Sequence, residues 1–307
     1  MTNLEGRKVS VRVPATSANL GPGFDTLGIA LAYYDDLEVT AAKPGTLTIE
    51  VEGEGKGQVP NDASHLVVRA ILETFKRAGQ QAPGLILKAK NRIPHGGGLG
   101  SSGAAVVSGI MAAKGLLEGI ATISDKTMLD IATEFENHPD NVAPALFGGL
   151  SIAWEDEQGP HTKKLSVHRG VSPLVLVSAT KMSTALARSL QPESVPHEDA
   201  VFNVSRSALL VAAMVQSPEL LFAATEDRLH QSYRATAMPE TEALIRTLRA
   251  EGHAAVVSGA GPSVLVLASD PAQRLKAKEL AEKTHPQWQA LLLAVDNKGA
   301  TMEIHQK

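Results

Sequence analysis

Residues 93–103 read Ile93-Pro94-His95-Gly96-Gly97-Gly98-Leu99-Gly100-Ser101-Ser102-Gly103, with five glycines among the eight positions 96–103, and run into the small residues Ala104, Ala105, Val106 and Val107. Glycine lets backbone N–H groups approach an anion closely, and a helix start adds unpaired N–H groups and the positive end of a dipole. A phosphate is the ligand such a segment suits, and the Ser101 and Ser102 hydroxyls are available to a phosphate oxygen or a magnesium ion. Three readings compete. One is a plain turn before a capped helix, although five glycines exceed what capping needs. A second is dinucleotide binding, because 98–103 fits G-x-G-x-x-G; that fingerprint belongs directly after the first strand of a βαβ unit, with an acidic residue ending the next strand. The third is a nucleoside-triphosphate loop without the G-K-[ST] tail of a Walker A site.

The rest of the chain sets the frame. Alternation in Val9–Val13, Leu37–Ala41, Leu47–Val51 and Leu85–Ala89 predicts half-buried strands. Leu66, Ala70, Ile71 and Phe75 fall at helical spacing before Gly79, a second helix should follow the loop to about Glu118, and a third should cover Lys126–Glu136 up to the His138-Pro139-Asp140 turn. A strand at Leu150–Trp154 gives way to a polar break over Glu155–Lys164, and Leu174–Val177 restarts the pattern. Beyond it the pattern predicts helices at 199–215, 218–230 and 240–251, strands at 254–258 and 263–268, a helix at 272–284 and a strand at 290–295. This mixed order indicates α+β layers, with a boundary near residue 170 dividing domains 1–170 and 171–307.

At 307 residues, and roughly 150 per domain, two domains are the natural expectation. The chain has no cysteine, which excludes disulfides, cysteine nucleophiles, iron–sulfur ligation and cysteine zinc sites. A formal charge of −4 with dispersed Lys and Arg argues against nucleic acid as a partner. The longest apolar run, Leu209–Val215, is far short of the ~20 residues of a membrane span, so a cytoplasmic protein without a membrane partner is expected.

Four segments resemble one family: Val13-Pro14-Ala15-Thr16-Ser17-Ala18-Asn19-Leu20-Gly21-Pro22-Gly23-Phe24-Asp25, the Gly-Leu-Gly-Ser-Ser run at 98–102, His138-Pro139-Asp140-Asn141-Val142-Ala143-Pro144-Ala145, and Ser258-Gly259-Ala260-Gly261-Pro262-Ser263. In this order they resemble the GHMP small-molecule kinases, and the first and third are similar to the branch acting on homoserine. The resemblance implies the two-domain α+β GHMP kinase fold, an N-terminal ATP-binding domain followed by a ferredoxin-like C-terminal one, and a homodimer. It implies ATP and Mg2+ as cofactors and L-homoserine as substrate, phosphorylated on its side-chain hydroxyl to O-phospho-L-homoserine for threonine synthesis.

By the same resemblance the phosphates would lie on Pro94, His95, Gly96, Gly97, Gly98, Leu99, Gly100, Ser101, Ser102 and Gly103, and magnesium on Ser102 and Glu136. Homoserine would be held by Asn19, Asp25, His138, Thr184, Arg188, Arg234, Gly259 and Gly261. Asp25 suits the ammonium or the hydroxyl, and Arg188 and Arg234 suit the carboxylate fork. Asn141 and Asp140 are the catalytic candidates, with Asn141 orienting the γ-phosphate and Asp140 either a base or a structural group. Without the family, Glu136 would read as a solvated helix end, Asn19 and Asp25 as turn formers, the two arginines as surface residues and His138 as a turn histidine. The glycines at 259 and 261 also suit a tight turn between strands. The nine other histidines show no metal-ligand spacing. Two departures stand out: His65 where the family commonly has Asn near the adenine, and Asn137 where it has Gly. Mevalonate as acceptor, a nicotinamide-dependent oxidoreductase and a non-catalytic amino-acid sensor remain the alternatives.

Overall fold

A computed structural model describes residues 4–305. The first half opens with long antiparallel strands β1 (Lys8–Asn19) and β2 (Gly23–Ala42), followed by β3 (Leu47–Gly53), helix α1 (Leu66–Arg77) and β4 (Gly84–Asn91). Helices α2 (Ser101–Leu116), α3 (Asp125–Glu136) and α4 (Val142–Phe147) come next, then the hairpin β5 (Leu150–Asp156) and β6 (Gly159–Leu165). β2 is the hub, pairing β1 along one edge and β5 and then β4 along the other, while β3 lies parallel to β4. β1 and β2 run well past the expected 9–13 and 37–41, because from Val13 to Asn19 every residue of β1 is buried and alternation vanishes where both faces are covered. The loop at 93–103 thus follows a strand inside a mostly antiparallel sheet, which rules out the dinucleotide-binding βαβ unit.

α2 can lie deep because its residues are small and apolar. A Cβ added at Gly109 would fall 2.6 Å from the carbonyl oxygen of Val67 on α1, and one at Gly115 would fall 2.8 Å from Val9 Cγ1 on β1. This helix is sandwiched between the sheet and α1, whose Val67, Val68, Ala70, Ile71 and Phe75 face the core. Its buried seat fixes the loop at its N-terminus.

The second half begins with β7 (Ser172–Val177), α5 (Thr184–Ser189) and α6 (His197–Val215). After a 3-10 turn at Pro218–Leu220 come the short helices α7 (Leu221–Ala224) and α8 (Gln231–Arg234), then α9 (Pro239–Ala250), β8 (Ala255–Val257), β9 (Val264–Ala268), α10 (Pro271–Thr284) and β10 (Gln289–Leu292). The sheet order β10-β7-β9-β8, antiparallel throughout, is the ferredoxin-like arrangement. A final strand, β11 (Thr301–His305), leaves this sheet and pairs with β1.

Two local expectations are corrected, and two elements were not foreseen. Glu155–Lys164 forms the β5–β6 hairpin; it reads as a polar break because this edge is largely exposed. The helix expected over 218–230 ends at Ala224, since the Asp227 carboxylate accepts the backbone N–H groups of Leu229, His230 and Gln231 at 2.9, 3.1 and 2.8 Å and bends the chain. α4 and β11 carry no pattern that periodicity resolves. Among the described residues no helix is long and apolar enough to cross a membrane.

Candidate active site

The glycine loop is clamped by its carbonyls. Leu99 O accepts from Thr16 N at 3.1 Å, Gly98 O from Ser258 Oγ at 2.7 Å, and Gly96 O from Met182 N at 3.0 Å. Its glycines are required sterically: an added Cβ would lie 2.0 Å from Thr16 Oγ1 at Gly100, where φ is +70°, and 2.2 Å from the Ser258 carbonyl oxygen at Gly98, where φ is +77°. The first bond of α2 is Ala104 N to Gly100 O, at 2.8 Å, so the N–H groups of Ser101, Ser102 and Gly103 precede the helix ladder. This is the backbone layout that receives an anion.

A cavity of about 270 Å³ opens beside the loop, lined by Gly96, Gly98, Gly100, Ser101 and Ser102 on one side. Asn19, Asp25, Glu136, His138, Asp140, Asn141, Thr184, Arg188, Arg234, Gly259 and Gly261 line the remainder. A bulge between Ala18 and Asn19 ends the regular ladder, and Asn19 and Asp25 both take left-handed backbone angles, φ +71° and +54°. Asn19 holds that turn by donating from Nδ2 to Gly259 O at 2.8 Å and accepting from Asp25 N at 3.0 Å. Asn137, at φ +65°, closes α3 in the conformation for which Asn is the usual second choice after Gly, so this departure preserves the Glu136 turn.

Charge in this cavity is arranged in pairs apart from Glu136, which is tied to a hydroxyl, and Arg234. Arg188 donates to both oxygens of Asp25, at 3.0 and 2.8 Å. His138 Nδ1 and Asp140 Oδ1 are 2.8 Å apart, with Asp140 only 2% exposed. Burial pushes the His138 imidazole down, but the hydrogen bond and charge of Asp140 outweigh it and leave the ring above its ordinary value. Burial raises the Glu136 carboxyl, partly opposed by the hydrogen bond from Ser102 Oγ to its Oε1 at 2.5 Å. Thr16 Oγ1 donates to Asn141 Oδ1 at 2.9 Å, which leaves the amide nitrogen as the group Asn141 can offer a ligand.

Arg234 is the cation left over. It is 2% exposed, and among the described residues no carboxylate forms an ion pair with it. Its guanidinium sits 5.2 Å over the Phe24 ring, which stacks on His230 at 4.9 Å, and donates to Gly259 O at 3.4 Å. With the Gln191 amide turned to satisfy its neighbours, the Gln191 oxygen accepts from Arg234 Nε at 2.9 Å. Burial lowers the pKa of this cation, opposed from a distance by the charges of Asp25, Asp227 and Asp140, and a guanidinium keeps its charge, so the site holds a buried positive group in direct contact with no carboxylate among the described residues.

A second cavity of about 310 Å³ meets the first at Ser101 and Ser102. Its wall is mainly Leu37, Val59, Pro60, Leu66, Val67, Ala89, Ala104 and Ala105, with Asp35, His65, Asn91 and His95 as polar points. His65 is 7% exposed, and its Nδ1 has no partner among the described residues. Burial pushes the Asp35 carboxyl up to about 6, against the backbone N–H groups of Ile93 and Arg92 that donate to it at 2.9 and 2.6 Å.

Residues 65–149 match the model of the GHMP kinases N terminal domain, and residues 208–285 match that of the GHMP kinases C terminal region. The chain is 69% identical over 300 residues to a homoserine kinase of Clavibacter michiganensis subsp. michiganensis, covering 97% of this chain and 95% of that protein. The chain belongs to the GHMP kinase family. A homoserine kinase of Streptomyces coelicolor is 48% identical over 96% of the chain and 94% of its own length. In fold, this GHMP kinase is similar to the crystal structure of homoserine kinase from Cytophaga hutchinsonii, at TM-score 0.86 and 24% identity over 99% of both chains. It also superposes on mevalonate diphosphate decarboxylase from Staphylococcus aureus, at TM-score 0.70 and 14% identity over 98% of both.

All eight residues expected to hold the acceptor line the first cavity, as do Asn141, Asp140, Ser102 and Glu136. Of the loop residues, Pro94, Gly97, Leu99 and Gly103 line neither cavity: Leu99 is buried in the core, and Gly103 faces Val142. His95 lines the apolar cavity only. Sequence reasoning missed Thr16, which orients Asn141 and stands inside the first quoted motif. It also missed His230, which stacks on Phe24 behind the cavity, because a lone histidine carries no spacing signal; His65, named for its place near the adenine, and His95, named with the loop, both line the apolar cavity.

Proposed function

We propose that the chain phosphorylates the side-chain hydroxyl of L-homoserine, using ATP and Mg2+, to give O-phospho-L-homoserine in threonine biosynthesis. The observation that carries the reading is the buried Arg234, without a direct ion-pair partner among the described residues, beside the Asp25–Arg188 pair on the cavity that the glycine loop enters. An amino acid brings a carboxylate for the arginines and an ammonium for Asp25, and so completes the charges of this pocket. Adenine fits the apolar cavity, and the phosphates pass over Ser101 and Ser102 to the loop.

The acceptor hydroxyl oxygen attacks the γ-phosphorus in line, the bond to the β–γ bridging oxygen breaks, and ADP leaves. Asp140 is committed to His138 and nearly inaccessible, so its role is to orient that ring, and the hydroxyl proton passes to the oxygens of the transferred phosphoryl group. The Asn141 amide and the loop N–H groups hold those oxygens, so positioning and electrostatics supply most of the acceleration. The adjacent oxygens of Ser102 and Glu136 suit a hard cation such as Mg2+, which neutralises phosphate charge when bound. The domains are 1–170 and 171–307, with the final strand returned to the first; the protein is cytoplasmic and a homodimer.

ADP release measured with L-homoserine, L-serine, L-threonine and mevalonate as acceptors tests this reading. Selective turnover of homoserine is expected. Turnover of mevalonate alone would overturn the acceptor assignment, and homoserine binding without any turnover would make the chain a sensor.

A further inference from the structure

The glycine loop lacks the lysine that a Walker A loop carries in its own sequence, so a cation for the inner phosphates must come from elsewhere. The segment between β7 and α5 crosses from the second sheet to the loop and is tied to it by Met182 N donating to Gly96 O at 3.0 Å. That bond seats the preceding residue, Lys181, over the loop: its Cβ is 3.3 Å and its Cγ 3.7 Å from where a side chain at Gly96 would begin. Lys181 is exposed, and among the described residues it forms no hydrogen bond or ion pair. Lys181 lines neither cavity itself, but Gly96 beneath it lines the charged one and the adjacent His95 lines the apolar one, so its flexible side chain is within reach of the loop between them. Its charge reaches the His95 imidazole, which burial chiefly, and Lys181 in addition, hold below the ordinary value against the opposing Glu54.

We propose that Lys181 is a phosphate-binding residue of the nucleotide site, closing from the second domain over the diphosphate portion of the nucleotide. The flexible stem and compact ammonium of a lysine suit this task, since the phosphates arrive with the ligand and the free side chain gives up no existing partner. Its contribution is a point charge at the surface and is therefore reduced by salt. This inference rests on the assignment of the two cavities to ATP.

Calorimetric titration of the intact chain with MgADP and, separately, with adenosine tests it in the wild type, Lys181→Met and Lys181→Arg. The expected result is an MgADP Kd about tenfold weaker in Lys181→Met, restored to within about threefold in Lys181→Arg, with adenosine affinity unchanged in both. The gap between wild type and Lys181→Met should narrow as salt rises. Equal MgADP affinity in wild type and Lys181→Met would overturn the role of Lys181 while leaving the nucleotide site standing. Parallel loss of MgADP and adenosine would make the residue structural and overturn it as well. A wild-type chain that binds neither ligand would remove the nucleotide assignment itself, and this inference with it.

Discussion

The two cavities share Ser101 and Ser102 but are built on opposite principles. In the first, polar groups are tied to one another: Asp25 to Arg188, His138 to Asp140, Glu136 to Ser102 and Asn141 to Thr16. Among the described residues Arg234 is the cation of this cavity left without a carboxylate partner. In the second, aliphatic side chains from β2, α1 and α2 form the wall, and the buried His65 Nδ1 has no partner among the described residues. A pre-tied network fixes geometry before the ligand arrives, as transfer chemistry requires. An apolar slot holds a flat base by area and shape, with less demand on exact angles.

Variants on the two sides should therefore fail differently. The largest effect is expected from Asn141→Ala, which removes the phosphate donor that Thr16 aims: kcat should fall about 10³-fold with little change in either KM, as read by steady-state kinetics. Asp140→Asn should cost about 10- to 100-fold in kcat, and a loss beyond ~10⁴ would restore Asp140 as the general base. In the apolar cavity, Ala105→Leu should raise KM for ATP about tenfold while KM for homoserine stays within about twofold.

The smallest effect concerns stability. The native Asp35 carboxyl is raised to about 6 by burial, so between the ordinary carboxylate range and that value the folded protein binds more protons than the unfolded chain. Native stability therefore falls as pH rises through this window, and the cost of the buried charge is complete above it. Asp35→Asn should raise Tm by a few degrees at pH 7.5 and leave it nearly unchanged at pH 4, in thermal scans.

The same contrast governs how much was legible in the sequence. The charged cavity is built from turns and helix ends whose residue types are chemically restrictive. Asn19 and Asp25 occupy strained turn positions, Gly98 and Gly100 admit no side chain, and His138 and Asp140 flank a proline, so their order along the chain carried the assignment. The apolar cavity is walled by Leu37, Leu66, Val67 and Ala104, which look like any other core residues until the fold brings β2, α1 and α2 together. In the fold, amphipathic elements such as α1 and α9 were plain, whereas β6 and β11 were hidden by their exposed edges. The interruption after α7 depends on one carboxylate, Asp227, capturing three backbone N–H groups, a tertiary event without periodicity.

The central claim is that the charged cavity takes a zwitterionic acceptor while the apolar one takes the base. A crystal structure with L-homoserine and a non-hydrolysable ATP analogue tests this directly. The account predicts the adenine against Leu66 and Val67, the homoserine carboxylate on Arg234 and its ammonium on Asp25, with the Asp25–Arg188 pair opened to admit it. Homoserine bound elsewhere, with that pair intact and Arg234 still without an anion, would contradict it.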